Sequence, residues 1–433
     1  MSILFQNVTA VTMDPAQPVL HNAFVGVEGS KISCVGTTRP MGEFDRVIDG
    51  QGQVLMPGLV NCHTHVPMTL LRGYGGGHDL QHWLHDFIFP AEAKLDERAI
   101  AAGTALGLAE MIASGTTCIV DMYMKSHVIA QQVYKAGISA NLSCGGVYFG
   151  DPDQFSPDTC GDCRNQIDLT QQWHGAGEGQ ILVDASIHGE YTSCAPLWQW
   201  MADYAADHKL GMHIHVSETR LEHEQCLAKY GKTPVALLDQ YGVWARGATA
   251  AHCVWVSDED MELMAQRHIT AVHNPVSNLK LGSGVARVPE LLKAGVNVAL
   301  GTDGVASNNN CDLFEEIKLA AILHKGVNCD PLAVSARQAL EMATVNGARA
   351  LGRDTGVIAP GKVADLILVD FTRPSLTPCH DTEENLVFSA RGSDVSMNMA
   401  RGKVIYEKGE FFTLDMEQIR AEVENYALPR IFG

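Results

Sequence analysis

The 433-residue chain carries 50 acidic against 31 basic residues, a formal charge of −19, with 46% hydrophobic and 19% charged residues. That field repels polyanions, which excludes nucleic acid as a partner, and no run approaches the roughly 20 apolar residues that would span a bilayer or act as a membrane partner's anchor. The first ten residues, Met1 to Ala10, lack a basic stretch followed by an apolar core, so a cytoplasmic location is expected.

The length exceeds one small core and fits a barrel of about 250 residues with one satellite domain. Twelve cysteines, scattered and mostly within apolar segments, read as reduced core residues and not as a disulfide framework. The one C-x-x-C, Cys160 and Cys163, falls in a Pro/Gly/Asp-rich stretch with no second pair nearby, which gives a zinc or redox reading little support.

In chain order, residues 3–49 alternate apolar and polar positions in short runs broken by Gly and Pro, the pattern of a small antiparallel β unit. The pattern resumes at 364–369 and 402–406, so a composite β-sandwich is predicted from both ends, residues 1–56 and 356–433, the latter with a terminal helix. Between them, residues 57–355 alternate short β-branched runs with amphipathic stretches, as a parallel sheet with crossover helices requires. Strand candidates lie near 59–65, 117–122, 139–144, 181–188, 211–215, 248–252, 269–273 and 296–301, the number that closes a barrel. Glu97 to Ser114, stopped by Gly115, is a clear intervening helix. The fold class is therefore α/β: a (β/α)8 TIM barrel with a small β-sandwich domain formed by both chain ends.

The chemistry gathers at one rim. His63 and His65 end the first barrel strand, His215 the fifth and His252 the sixth, and Asp303 follows the eighth; in such barrels the C-terminal ends of the strands carry the active site. Residues at i and i+2 on a strand share a face, so His63 and His65 can hold one cation, which His215 and the Asp303 carboxylate would complete from across the barrel. His213 and His215 also share a face, and spacing leaves open which of them is the ligand. A two-metal site bridged by a modified lysine needs a lysine on or near the fourth strand, but between Ser126 and Trp200 only Lys135 occurs, in a helical stretch. One divalent metal ion is expected, zinc first, with iron and manganese as alternatives.

Five ordered motifs carry a resemblance across nearly the whole chain: Pro57-Gly58-Leu59-Val60-Asn61-Cys62-His63-Thr64-His65, His215-Val216-Ser217-Glu218-Thr219, Ala251-His252-Cys253, His273-Asn274-Pro275-Val276-Ser277-Asn278-Leu279-Lys280-Leu281-Gly282 and Gly301-Thr302-Asp303-Gly304. The chain resembles the amidohydrolase superfamily, nearest the 5'-methylthioadenosine/S-adenosylhomocysteine deaminases, with the s-triazine hydrolases as close relatives. The resemblance implies that His215 is the ligand and Glu218 the proton-handling carboxylate, that His252 orients the attacking water, and that Asp303 is both ligand and proton acceptor. His213 becomes a barrel-lining residue. Glu92 resembles the glutamate that accepts ribose hydroxyls and His188 the histidine that assists it; Trp83 and Arg164 complete the candidate substrate-binding set.

Two positions depart from the family. His188-Gly189-Glu190-Tyr191 stands where close relatives have His, a small residue and Pro-Tyr, which predicts a charge from Glu190 near the substrate mouth. Members that take S-adenosylhomocysteine carry arginines after the third strand, yet Ser139 to Phe149 has none and only Arg164 follows. The expected function is metal-dependent hydrolytic deamination of a small-molecule adenine nucleoside by a homo-oligomer. The alternatives are hydrolysis of another amino-substituted or halogenated N-heterocycle (guanine, pterin, s-triazine) or a non-catalytic scaffold, against which the retained ligand set argues.

Overall fold

The computed structural model describes residues 2–78 and 80–433. The alternating opening stretch forms β1 (Ser2–Val11), β2 (Val19–Glu28), β3 (Lys31–Gly36), β4 (Arg46–Asp49) and β5 (Gln53–Pro57). A single glycine, Gly58, then leads into β6 (Leu59–Thr64). A side chain at Gly58 would collide with that of Thr117, so the two layers meet at a point where only hydrogen fits.

The barrel continues with β7 (Thr116–Met122), β8 (Ser139–Ser143), β9 (Ile181–Val183), β10 (Ala185–Ser186), β11 (Met212–Val216), β12 (Ala248–His252), β13 (Ile269–His273) and β14 (Asn297–Leu300). All pair in parallel, in two arcs ordered β6-β7-β8-β9 and β10-β11-β12-β13-β14. The fourth strand candidate divides at Asp184. The Asp184 N–H donates to Leu142 O on one side and the Ala185 N–H to Gly211 O on the other, so this one strand joins both arcs. At the remaining seam the Asp303 N–H donates to His63 O at 2.9 Å. Gly301 permits that approach, since a Cβ there would stand 2.8 Å from the His63 backbone nitrogen.

Most strand residues of the barrel are buried, which is why these strands read as continuous apolar runs. The helix Glu97–Ala113 starts where expected, its Asp96 side chain capping the Ala99 N–H, and ends before Gly115 at φ 97°. Among the described residues no helix is long and apolar enough to cross a membrane.

Both chain ends meet in one nine-stranded sheet, with β15 (Leu366–Asp370), β16 (Val395–Ala400), β17 (Lys403–Glu407) and β18 (Glu410–Phe411) added antiparallel beside β5. Phe5, Val25 and Leu55 from one end share a core with Leu366, Leu368 and Met399 from the other. The terminal helices do not extend that core: Val423, Ala427 and Ile431 join the apolar cluster of the barrel, and Arg98 pairs with Glu422 at 2.7 Å. All twelve cysteines are free thiols, Cys160 and Cys163 being buried around the first turn of the helix Gly161–Trp173.

Candidate active site

His63 lies on β6 and His65 just past its end, before the short helix Val66–Leu71, both facing the barrel centre, where the following strands and their ends bring His215, His252 and Asp303 to meet them. His63 Nε2 lies 3.4 Å and His65 Nε2 3.3 Å from Asp303 Oδ1, and His65 Nε2 lies 3.3 Å from His215 Nε2. Four donors around a tetrahedral zinc at about 2.0–2.1 Å stand about 3.4 Å from one another, so this spacing suits such an ion. His63 Nε2 is fully buried and has no hydrogen-bond partner, an orphaned lone pair that a cation would satisfy. Two overlapping groups meet metal-holding geometry, His63/His65/Asp303 and His63/His215/His252.

Each imidazole is turned by what its other nitrogen meets. His65 Nδ1 donates to Met122 O and His215 Nδ1 to His188 O, both at 2.6 Å, leaving each Nε2 as a lone pair toward the centre. His63 Nδ1 meets His213 Nε2 at 2.9 Å, and His213 Nδ1 meets Ser143 Oγ at 3.2 Å. His213 therefore does more than line the barrel: it supports His63 from below. Asp303 Oδ2 accepts the hydroxyls of Ser277 and Ser307 at 2.6 and 2.8 Å, which leaves Oδ1 to face the histidines.

Burial and the neighbouring imidazoles lower His63 to about 3, so it stays neutral and able to ligate. Burial also holds His215 well below its ordinary value, helped by His188 and His63. Burial opposes ionisation of Asp303, yet His63, whose Nε2 faces its Oδ1 at 3.4 Å, and the surrounding imidazoles carry it well below the carboxylate range. The backbone at His252 (φ 73°) and Asp303 (φ 61°) is left-handed, a conformation that costs about 1–2 kcal/mol for residues with a Cβ.

Glu218 sits beside this cluster and belongs to neither group. One of its oxygens lies 3.6 Å from His252 Nε2, while His252 Nδ1 meets Asn278 Oδ1 at 2.8 Å. Burial raises Glu218, with the Asp303 charge adding to it and His252 opposing. For His252 burial pulls downward, but the charges of Glu218 and Asp303 outweigh it and raise the imidazole. A carboxyl group and an imidazole whose affinities are both drawn toward neutrality can pass a proton at ordinary pH. Glu222 holds the turn beneath Glu218, its carboxylate accepting the N–H groups of Ser217 and Glu218 at 2.7 and 2.8 Å.

Above the cluster opens a cavity of about 810 Å³, which His65, His188, His215, Glu218, His252 and Asp303 reach. Glu92 and Trp83 line it too, as expected from the sequence. Glu92 is buried and accepts the hydroxyl of Tyr123, and burial raises its carboxyl. His188 Nδ1 meets Thr192 Oγ1 at 3.1 Å.

Two expectations are corrected. Arg164 is exposed and does not line the cavity: Asp162, Asn165, Leu169 and Gln172 recur at three- and four-residue spacing on the inward face of their helix, and Arg164 falls outside that stripe. Glu190 does not charge the mouth. It is 3% exposed, in the short helical turn Glu190–Thr192, close enough to Glu222 for the two acids to raise each other's proton affinity.

Tyr123, Ser307 and the support given by His213 had no signal in the sequence, because each acts through a contact with another strand or loop. Ser277 and Asn278 did: both lie inside the Asn274–Gly282 motif, at the spacing that lets one helical turn reach Asp303 and His252.

A model of the Amidohydrolase family matches residues 54–405. The chain is 43% identical to a 5'-deoxyadenosine deaminase of Methanosarcina acetivorans, over 98% of this chain and 97% of that one. It is also 43% identical to a 5-methylthioadenosine/S-adenosylhomocysteine deaminase of Pelotomaculum thermopropionicum, over 99% and 98%. Among solved structures it resembles an adenosine deaminase from Xanthomonas campestris with bound zinc, at 33% identity and a TM-score of 0.93, covering 99% and 98% of the two chains.

Proposed function

The chain belongs to the amidohydrolase family, and on that premise we propose that it is a hydrolytic deaminase of adenine nucleosides that depends on one divalent metal ion, zinc, and releases ammonia and the inosine-type product. The observation that carries this reading is the place of Glu218: a buried carboxyl of raised proton affinity, 3.6 Å from His252 and outside the ligand set. Hydrolysis at an amino-bearing ring carbon needs a proton on the ring nitrogen and then on the leaving amine, and a group so placed can carry both.

His63, His65, His215 and Asp303 would hold the cation, which when bound supplies a Lewis acid and lowers the pKa of water toward neutrality. His252, fixed by Asn278, aims the attacking oxygen at the ring carbon. Asp303 takes up its proton while Ser277 and Ser307 keep the carboxylate in place. Glu218 gives its proton to the ring nitrogen and relays the next to the departing amine. Glu92, oriented by Tyr123, accepts the ribose hydroxyls; His188 and Trp83, which line the same cavity, complete the contacts to the substrate.

The test is to incubate the metal-loaded protein with adenosine, 5'-deoxyadenosine, 5'-methylthioadenosine and S-adenosylhomocysteine and to measure ammonia. Release from at least one of them supports the reading; release from none, with guanine or a chlorotriazine consumed instead, sinks it.

A further inference from the structure

On the reading above, with the amine at the buried metal cluster and the ribose at Glu92, the 5' arm takes what remains of the cavity, whose exposed lining residues, Glu97, Phe149, Asn165, Asp168 and Gln172, mark its mouth. The inward face of the helix Gly161–Trp173 brings Asp162 and Asp168 to that wall, and Glu97 joins them from the start of the neighbouring helix. The amide of Asn165 lies between the two aspartates along the same stripe, and that of Gln172 one turn beyond Asp168. Among the described residues lining the cavity, Lys125 is the one lysine and there is no arginine. His127 lines the same wall, its Nε2 3.4 Å from Glu97. Asp162 is partly buried and committed, accepting the Val147 N–H at 2.9 Å and the Asn165 amide at 3.4 Å, so its charge cannot swing away from the wall. Between these polar groups Val147, Phe149 and Leu169 offer apolar surface.

We propose that this outer wall selects the 5' arm of the substrate by charge, admitting neutral apolar or cationic arms and disfavouring those that carry a carboxylate. The inference rests on the adenine-nucleoside reading above. An anionic arm would enter between carboxylates with one lysine to meet it, and in a cleft with low-dielectric walls like charges repel more strongly than in bulk water. A thioether or a methyl group meets the apolar surface at no electrostatic cost, and an ammonium gains the carboxylates. Among 5'-substituted adenosines the wall thus disfavours those with anionic arms; the zwitterionic arm of S-adenosylhomocysteine gains at its ammonium and loses at its carboxylate.

The experiment uses the metal-loaded enzyme and three nucleosides that share the ring, the ribose and the sulfur: 5'-methylthioadenosine, 5'-S-(2-aminoethyl)-5'-thioadenosine and 5'-S-(2-carboxyethyl)-5'-thioadenosine. Ammonia release gives kcat and KM for each. The carboxyethyl arm is expected to raise KM by about 10-fold or more over the aminoethyl arm with kcat little changed, and the gap should narrow as salt is added, because the wall is open to solvent. Asp168 is exposed, so Asp168→Lys should fold, and it should narrow or reverse the same ratio. Equal kcat/KM for the two charged arms, in wild type and in Asp168→Lys, overturns charge selection while the deaminase reading stands. No ammonia from any of the three while adenosine or 5'-deoxyadenosine is deaminated overturns this inference alone; none from those two either overturns the deaminase reading with it.

Discussion

The carboxylate of Glu222 accepts the backbone N–H of Glu218 at 2.8 Å, so one buried acid holds the turn that presents another to the substrate. The same side chain accepts the Ser217 N–H at 2.7 Å through its second oxygen. Glu222→Gln would place an amide donor against one of these N–H donors, at a cost of about 1–3 kcal/mol for the unsatisfied group. The expected result is a lower Tm and a kcat reduced about 10-fold or more, with metal content kept because His215 is oriented independently by His188 O. Thermal unfolding, metal analysis and ammonia release on one preparation check it.

The two buried acids behind the turn make stability depend on pH. Burial and the Glu222 charge push Glu190 up to about 9, and burial with the Glu218 charge pushes Glu222 to about 7, both from an ordinary value of 4.5. Between pH 4.5 and about 9 the folded chain binds more protons at these sites than the unfolded chain, so their contribution is full below pH 4.5 and is lost as pH rises through the folded values. Glu190→Gln removes one of the two groups. Its stability should fall less steeply than wild type between pH 6 and 9, at most about 1.4 kcal/mol per pH unit less for one proton. Denaturant midpoints across that range are the measurement, and parallel curves would contradict it.

Removing one ligand from a four-donor set should empty it. His65→Ala is expected to lose metal and turnover together, because few strong donors remain and His63 Nε2 keeps no other partner. Full metal content with full turnover in that variant would remove His65 from the site.

Glu92→Ala leaves the Tyr123 hydroxyl without its acceptor and takes away the carboxylate proposed to receive two ribose hydroxyls. Nucleosides should lose far more kcat/KM than free adenine, by about 10-fold or more in ratio, since only nucleosides use that contact. Equal losses on both would move Glu92 out of the ribose site.

How far the sequence could be read followed from how local each feature is. His63 and His65 were legible because a two-residue spacing at a strand end fixes a shared face, and both meet Asp303 although β6 itself stops at Thr64. The helix beginning at Glu97 was legible from its amphipathic stretch and its glycine stop. The break of the fourth strand at Asp184 was not, because it depends on which neighbour each half pairs with across the barrel. Arg164 was misplaced for a related reason: its segment read as a loop, whereas a helix from Gly161 fixes which side chains turn inward. Glu190 was read as a charge near the substrate mouth, but the turn after His188 buries it near Glu222, and only the folded chain brings the two acids together. The bonds of His213 to His63 and of Tyr123 to Glu92 join residues 150 and 31 positions apart, beyond any local pattern.

The central claim is that Glu218 moves protons and does not hold the metal, and Glu218→Gln separates the two roles. The amide keeps the size and the hydrogen bond offered by Ser283, so the fold and the ligand set should persist. Ammonia release from 5'-deoxyadenosine or 5'-methylthioadenosine and metal content are measured together for wild type and variant. The account predicts unchanged metal and a kcat reduced by about 10²-fold or more, the share a general acid and base contributes. A variant that keeps its metal and deaminates at the wild-type rate would contradict it.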